Sequence, residues 1–151
     1  LYSEYLKAAL NEEMMFKPLS FDLPDDDMAK QVDDQLLLGN ELMIAPVYKQ
    51  NAKGRYVYLP EEMMAVRMKS CKNIKTEILS KGHHYVDSEL DELVFFIRKD
   101  KAIPFGKPVK NTSEIDLSDL KLIGYEGCHY EMYSDDGFSP VLEDSLKKTI
   151  L

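Results

Sequence analysis

The feature that most constrains the fold is an alternation of apolar and polar residues in short runs from Arg55 onward. The runs are rich in β-branched and aromatic residues, and Gly, Asn, Asp or Pro separates them. Turn residues about every 8 to 12 positions are typical of an antiparallel sandwich. Strands are therefore predicted at residues 55–59, 64–68, 75–79, 84–87, 93–98, 102–105, 120–125 and 128–133.

The chain before Gly54 has a different pattern. In residues 1–13 the apolar positions recur on one helical face, which predicts a helix. Residues 14–21 are short and apolar and contain Pro18, which favours a strand. Asp25–Asp27 follow Pro24 as a loop and N-cap, so residues 28–38 are predicted as a helix that ends at Gly39. The apolar residues 42–48 fit a strand, in which Pro46 marks an edge or a bulge.

Together these patterns predict a mainly β protein. An antiparallel β-sandwich is preceded by a short α/β segment that contains two helices. Because the pattern changes between Tyr48 and Gly54, we predict two regions, residues 1–48 and residues 49–151.

Composition narrows the possible partners of the 151-residue chain. Its net charge of -8 disfavours nucleic acid and anionic membranes, since both attract clustered Lys and Arg. No apolar run approaches the ~20 residues that span a bilayer. The first residues lack the basic and apolar regions of a signal peptide and begin within a predicted helix, which suggests a piece of a longer protein. Cys71 and Cys128 are predicted as free thiols in a reducing compartment, and the predicted location is cytoplasmic.

No motif in the chain identifies a catalytic, cofactor-binding or metal site. The acidic groups Asp25–Asp27 and Asp135–Asp136 lie in predicted turns, and the acidic residues of 87–92 in a solvated loop. His83 and His84 are adjacent on a predicted strand, so they face opposite sides and cannot share a metal ion. The chain contains neither a Gly-x-Ser-x-Gly elbow nor a Gly-rich phosphate loop.

Five aromatic residues allow two interpretations. They could form a platform on which a sugar ring stacks, or they could be core residues and cross-strand pairs. These residues are Tyr56, Tyr58, Tyr85, Phe95 and Phe96.

Four segments together resemble glycoside hydrolase family 31, the family of α-glucosidases and α-xylosidases. They are MMFKPLSFDLPDDD, DQLLLGNELMIAPVYKQNAKGRYVYLPE, FFIRKDKAIPFG and YEMYSDDG, which begin at Met14, Asp34, Phe95 and Tyr130. The resemblance implies the end of a (β/α)8 catalytic barrel followed by a β-sandwich. It would explain the apolar stretch around Gly39 as the buried junction between the two.

The resemblance also implies what this chain does not carry. Family members hydrolyse α-glycosides with retention, using two aspartates on earlier barrel strands, so no catalytic residue is transferred to this sequence. The family usually has Arg where this chain has Lys17, and Lys lacks the planar fork for a bidentate bond.

Three functional hypotheses follow. The first is the C-terminal part of an α-glucosidase, inert alone, whose partners are its barrel and an α-glucoside. The second is a free-standing sandwich that binds carbohydrate, and the third is a non-catalytic chain that completes a separate barrel. If the barrel is absent, the N-terminal apolar face should fold back onto the sandwich or associate with a second copy of the chain. This face comprises Tyr2, Leu6, Leu10, Phe16 and Leu19.

Overall fold

The computed structural model describes residues 1–139 and 145–151, and within them the protein is mainly β with antiparallel strand pairs, as predicted. The described helices are α1 (Tyr2–Asn11) and α2 (Leu19–Asp22). The described strands are β1 (Phe16–Pro18), β2 (Leu36–Leu38), β3 (Leu42–Ile44), β4 (Gly54–Leu59), β5 (Met63–Ser70), β6 (Asn73–Leu79), β7 (Gly82–Asp87), β8 (Leu93–Arg98), β9 (Ala102–Phe105), β10 (Lys121–Gly124), β11 (Glu131–Ser134) and β12 (Lys147–Ile150).

The largest sheet has six strands in the order β1-β2-β3-β8-β5-β6. It joins the N-terminal segment to the later strands because β3 pairs with β8, with Leu42 opposite Ile97 and Met43 opposite Phe96. The sheet therefore crosses the position where the sequence pattern changes. The division into residues 1–48 and 49–151 stays a prediction.

Three two-stranded sheets complete the described fold: β4 with β7, β9 with β10, and β11 with β12. The core lies between the six-stranded sheet and the β4–β7 sheet. Leu37, Met43 and Phe96 from the first meet Val57 and Leu59 from the second, and each of these side chains is at most 1% exposed. Two sheets packed face to face form the predicted sandwich.

The prediction of a helix over residues 28–38 is wrong. Only Ala29–Gln31 form a single 3₁₀ turn, and the leucines form strand β2. Gly39 does not end a helix. It lies in the connection between β2 and β3 with a φ of 59°, a conformation that glycine adopts readily. The second helix is instead the one-turn α2, directly after Pro18.

The predicted strands are present with small shifts in their ends. The strand predicted at residues 42–48 ends at Ile44, before Pro46, and the one predicted at 128–133 begins at Glu131. Strand β12, which pairs with β11, was not predicted. Within the described ranges, none of the helices has the length and apolar character needed to cross a membrane.

Candidate functional site

The first three strands form one end of the six-stranded sheet, and their side chains are mostly apolar on both faces. Lys17, Leu37 and Met43 occupy one face, and all three are buried in the sandwich. The opposite face, here called the junction face, is formed by Phe16, Pro18, Leu36, Leu38, Leu42 and Ile44.

The junction face is only partly covered. Phe16 is 44% exposed and Leu36 is 38% exposed. Pro18, Leu42 and Ile44 are half-buried, and Leu38 is buried. A strand buried on one face normally alternates, whereas a nearly continuous apolar strand is typical of burial on both faces. The sequence of β2 and β3 thus suits a second covering layer, and the described residues supply only part of it.

Helix α1 lies against the sandwich rather than over the whole junction face. Leu6 is buried, and the Ser3 hydroxyl both donates to the Tyr133 carbonyl and accepts from the Tyr133 N–H at 3.1 Å. The predicted N-terminal apolar face is therefore divided. Leu6 and Leu19 are buried, whereas Tyr2, Leu10 and Phe16 are 40% to 51% exposed. Self-association through these residues stays a prediction.

A network of charges holds the junction face in position. Lys17 is 8% exposed, and its Nζ lies 2.9 Å from Asp22 Oδ1 and donates to Asn40 Oδ1 at 2.9 Å. Arg98 Nη1 lies 2.9 Å from Asp22 Oδ2, and Arg98 Nε lies 2.7 Å from Glu61 Oε1. The network ties β1 and α2 to β8. Within it, Lys17 satisfies two acceptors, although it lacks the planar fork of a guanidinium group.

A second polar cluster fastens α1 to the turn after β2, and sequence reasoning missed it. Lys7 Nζ lies 2.7 Å from Glu4 Oε1 and 3.3 Å from Glu41 Oε1. The Tyr130 hydroxyl donates to Glu4 Oε1 at 2.6 Å, and the ammonium of Lys7 lies 4.1 Å from the centre of the Tyr130 ring. No sequence signal links these residues, because only Glu4 and Lys7 are near each other in the chain.

The pKa values of the two carboxyl groups in this cluster are shifted in opposite directions. Burial, followed by the negative charge of Glu4, raises the pKa of Glu41. Burial also opposes ionisation of Glu4, but hydrogen bonds from Lys7, Tyr130 and Glu41 outweigh it and lower the pKa of Glu4. Glu4 therefore ionises more readily than Glu41.

The acidic groups predicted to lie in turns do so. Asp26 Oδ1 accepts from the backbone N–H groups of Met28 and Ala29, and Asp136 Oδ1 accepts from those of Phe138 and Ser139. The hydrogen bond from Lys81, followed by that from Tyr58, lowers the pKa of Asp26.

The acidic loop after β7 is paired rather than simply solvated. Arg67 reaches Asp87 and Glu92 at 3.0 and 3.2 Å, and Lys69 reaches Glu89 at 2.6 Å. A cavity of about 1220 Å³ lies between this loop and the loop after β3, with Val57, Val86 and Phe96 in its lining.

The histidines and cysteines lie apart from these clusters. His83 is opposite Tyr58, while His84 Nε2 lies 2.7 Å from the Ser80 carbonyl oxygen. Cys71 and Cys128 are free. Over the described ranges, no group of three or more His, Cys, Asp or Glu residues is placed to hold a metal ion.

The five aromatic residues that allowed two interpretations separate into two sets. Tyr58 and Phe96 are buried, and Phe95 is half-buried, as expected for core residues. Tyr56 and Tyr85 are instead 71% and 57% exposed and face each other across β4 and β7, with ring centres 5.3 Å apart.

These features define a β-sandwich domain with an apolar junction face. The family model described as the glycosyl hydrolase family 31 C-terminal domain matches residues 12–103. Because the match covers more than half of the chain, this chain belongs to glycosyl hydrolase family 31, in its C-terminal region.

Two relatives give the scale of the match. The chain is 27% identical over 142 residues to alpha-glucosidase 2 of Bacillus thermoamyloliquefaciens, covering 91% of this chain and 17% of that protein. It is 27% identical over 129 residues to the alpha-xylosidase of Saccharolobus solfataricus, covering 83% of this chain and 17% of that protein. The chain thus spans about a sixth of the length of these glycosidases.

Solved structures show the same fold. The GH31 dextranase of Flavobacterium johnsoniae, complexed with glucose, matches with a TM-score of 0.75 and 24% identity over 99% of this chain and 19% of that chain. The catalytic subunit in the ER glucosidase II heterodimeric complex matches with a TM-score of 0.76 and 19% identity, over 99% of this chain and 17% of that chain.

Proposed function

We propose that this chain is the C-terminal part of a retaining α-glucosidase-type hydrolase located in the cytoplasm. The parent enzyme would hydrolyse terminal α-glucosidic bonds. Residues 1–48 would form the end of its catalytic barrel and the junction, and residues 49–151 the adjoining sandwich. This part would support the barrel without contributing a catalytic aspartate, metal ligand or cofactor site.

The observation that carries this proposal is the half-exposed junction face. Apart from Lys17, its strands have apolar side chains on both faces, and a charge network fixes their position against the sandwich. An apolar face that is rigidly held yet incompletely covered suits a permanent partner, because obligate contacts resemble a protein core divided in two. A catalytic barrel continuous with this chain is such a partner.

The arrangement of acids supports the expectation that the chain is inactive alone. Retaining hydrolysis needs two carboxyl groups about 5–5.5 Å apart on opposite sides of the scissile bond. Glu4 and Glu41 lie together beside Lys7, but both are ion-paired with its ammonium group. The adjacent cavity is about 140 Å³, smaller than the ~300–1,000 Å³ typical of ligand pockets.

A domain exchange tests the supporting role. This chain would replace the matching segment of the Bacillus alpha-glucosidase 2, and hydrolysis of maltose and of a nitrophenyl α-glucoside would be measured for the hybrid and for the isolated chain. We expect activity from the hybrid and none from the isolated chain. Turnover by the isolated chain that is lost on changing one Asp or Glu would overturn the proposal.

A matched pair of substitutions connects activity in the hybrid to the junction face. Phe16 is 44% exposed on that face, and Ile78 is 49% exposed on strand β6 at the far edge of the same sheet. In the hybrid, F16D should lower kcat/KM about tenfold or more, because it buries an unpaired charge against the barrel. I78D should leave activity unchanged. Equal effects of the two variants would contradict the proposal that the junction face packs against the barrel.

The second candidate function is a carbohydrate-binding sandwich without hydrolytic activity. The exposed pair Tyr56 and Tyr85 favours it, since these side chains are not needed to close the core. The two functions are compatible in one chain, because the tyrosines lie on the β4–β7 sheet and the junction face on β1–β3.

A further inference from the structure

The outer face of the β4–β7 sheet carries a row of aromatic side chains. Tyr56 lies opposite Tyr85, and Tyr58 lies opposite His83, in the antiparallel register. Directly opposed residues share a face, and residues two apart on a strand also share a face, so all four project to one side. Val57, Leu59 and Val86 project to the other side and are buried in the core.

The two ends of this row differ in burial. The ring of Tyr58 is buried and lies 5.0 Å from the His83 ring, with its hydroxyl bonded to Asp26 at 2.7 Å. Tyr56 and Tyr85 remain mostly in water, in an edge-to-face arrangement with an interplanar angle of 72°. Their contact fixes the rings and leaves large apolar surfaces available, which lowers the entropy cost of binding.

A cavity of about 360 Å³ adjoins the exposed tyrosines. Its lining includes Tyr48, which is 64% exposed, together with Asp34 and Arg55. Its volume falls in the ~300–1,000 Å³ range of small-molecule sites, which combine apolar walls with a few placed polar groups. Three tyrosines and one carboxylate-bearing residue therefore line a space of ligand size.

The polar wall of the cavity is held in place by hydrogen bonds. The Arg55 guanidinium donates to the carbonyl oxygens of Asp34, Pro46 and Tyr56 at 3.0 to 3.1 Å, and its Nη2 lies 2.5 Å from Asp34 Oδ1. Buried Gln35 exchanges two 2.8 Å hydrogen bonds with the backbone of Tyr58. Asp34 is thus anchored to β4, while its Oδ2, 3.3 Å from the Tyr48 hydroxyl, retains lone pairs to accept a ligand hydroxyl.

We infer that Tyr48, Tyr56, Tyr85 and Asp34 form a binding site for an α-linked gluco-oligosaccharide, separate from the chemistry of the parent enzyme. A pyranose ring presents C–H groups on its face and hydroxyl groups at its edge. The tyrosine rings complement the face, and the Asp34 carboxylate complements the edge. The choice of α-linked glucose rests on the proposed function, whereas the site itself rests on the geometry of the β4–β7 sheet.

Binding to the isolated chain tests the site without requiring catalysis. Maltoheptaose and isomaltoheptaose would be titrated by calorimetry and by saturation-transfer NMR, with cellohexaose as the β-linked comparison. We expect millimolar binding of at least one α-linked ligand, NMR signal transfer to its ring protons, and weaker binding of cellohexaose. The double variant Y56A/Y85A should weaken binding about tenfold or more.

Matched variants separate stacking from other effects. Tyr5 on α1 is 57% exposed, equal to Tyr85, so Y5A controls for the loss of an exposed tyrosine. Y56F/Y85F retains both rings and should bind within about twofold of the wild type if ring stacking supplies the affinity. If Y56A/Y85A lowers the melting temperature, Y48A replaces it, because Tyr48 lies outside every described strand.

Two outcomes would overturn the inference. One is unchanged binding in Y56A/Y85A or Y48A, and the other is no binding of either α-linked ligand up to about 10 mM. An active hybrid enzyme together with absent binding would remove this site and leave the proposed function in place. Binding together with an inactive hybrid would remove the proposed function and leave this site in place.

Discussion

Glu41 shows how one buried carboxyl group can tie the stability of the fold to pH. It shares Lys7 with Glu4 at the contact between α1 and the turn after β2. Burial and the neighbouring negative charge raise its pKa above the ordinary 4.5 in the folded protein. The folded state therefore binds this proton more tightly than the unfolded chain, so the contribution of Glu41 to stability falls as the pH rises through its folded pKa.

The substitution E41Q removes this ionisation and retains a hydrogen-bond donor toward Glu4. We expect the melting temperature of E41Q relative to the wild type to increase from pH 4 to pH 8, because only the wild type must ionise Glu41. Thermal unfolding followed by circular dichroism measures the difference. E12Q, at an exposed carboxylate just after α1, controls for the loss of one negative charge. An E41Q variant that is progressively less stable toward pH 8 would contradict the assignment.

Lys17 provides a second prediction at the scale of a residue. K17M retains the apolar stem but leaves Asn40 without its donor and Asp22 paired only with Arg98, so it should destabilise the fold by about 1–3 kcal/mol. K17R should stay within about 1 kcal/mol of the wild type, since a guanidinium can reach the same two oxygens. Urea unfolding of both variants checks the pair, and a K17R loss equal to that of K17M would show that the buried site beside Asp22 and Asn40 accepts only an ammonium group.

At the scale of elements, the connection between β2 and β3 depends on a glycine for two separate reasons. Gly39 has a φ of 59°, and a Cβ atom built there would lie 1.8 Å from Glu4 Oε2. Gly127 has a φ of 76° with nothing within 4 Å of such an atom. G127A therefore carries only the backbone strain, whereas G39A also displaces the carboxylate that fastens α1.

We expect G127A to cost about 1 kcal/mol and G39A about 2–4 kcal/mol in the free energy of unfolding. Chemical denaturation gives both values. In G39A, amide hydrogen exchange should also increase in α1, since Glu4 loses its position beside Lys7 and Tyr130. Similar costs for the two variants, without faster exchange in α1, would show that Glu4 moves aside freely.

Strand β2, which ends just before Gly39, shows where prediction from the sequence failed. Apolar runs of three or four residues fit a helix or a fully buried strand equally well, so Leu36–Leu38 before a glycine were interpreted as the end of a helix. Strands β4 to β8 were predictable because their runs are rich in β-branched and aromatic residues and are separated by turn residues, although β4, β5 and β8 have buried side chains on both faces. Strand β12 is exposed along its length, and the Glu4–Lys7–Glu41–Tyr130 cluster joins distant parts of the chain. Neither leaves a local pattern.

At the scale of the whole molecule, the junction face should govern association of the isolated chain. Phe16 and Leu36 leave apolar surface in water, so we expect self-association that increases with protein concentration. Sedimentation velocity of the isolated chain would show it, and F16D should shift the chain toward monomer while I78D should not. A monomeric wild type over the whole concentration range would refute this expectation.

The pairing of β3 with β8 sets where this chain could be exchanged between relatives. Recombination at residue 49, where the amino-acid pattern changes, would take β3 from one parent and β8 from the other. Met43 and Phe96, both almost completely buried, would then come from sequences never selected together. A crossover placed between α1 and β1 would keep the six-stranded sheet in one parent but would separate Glu4 and Lys7 from Glu41 and Tyr130, so the unit that preserves both sets of contacts includes α1.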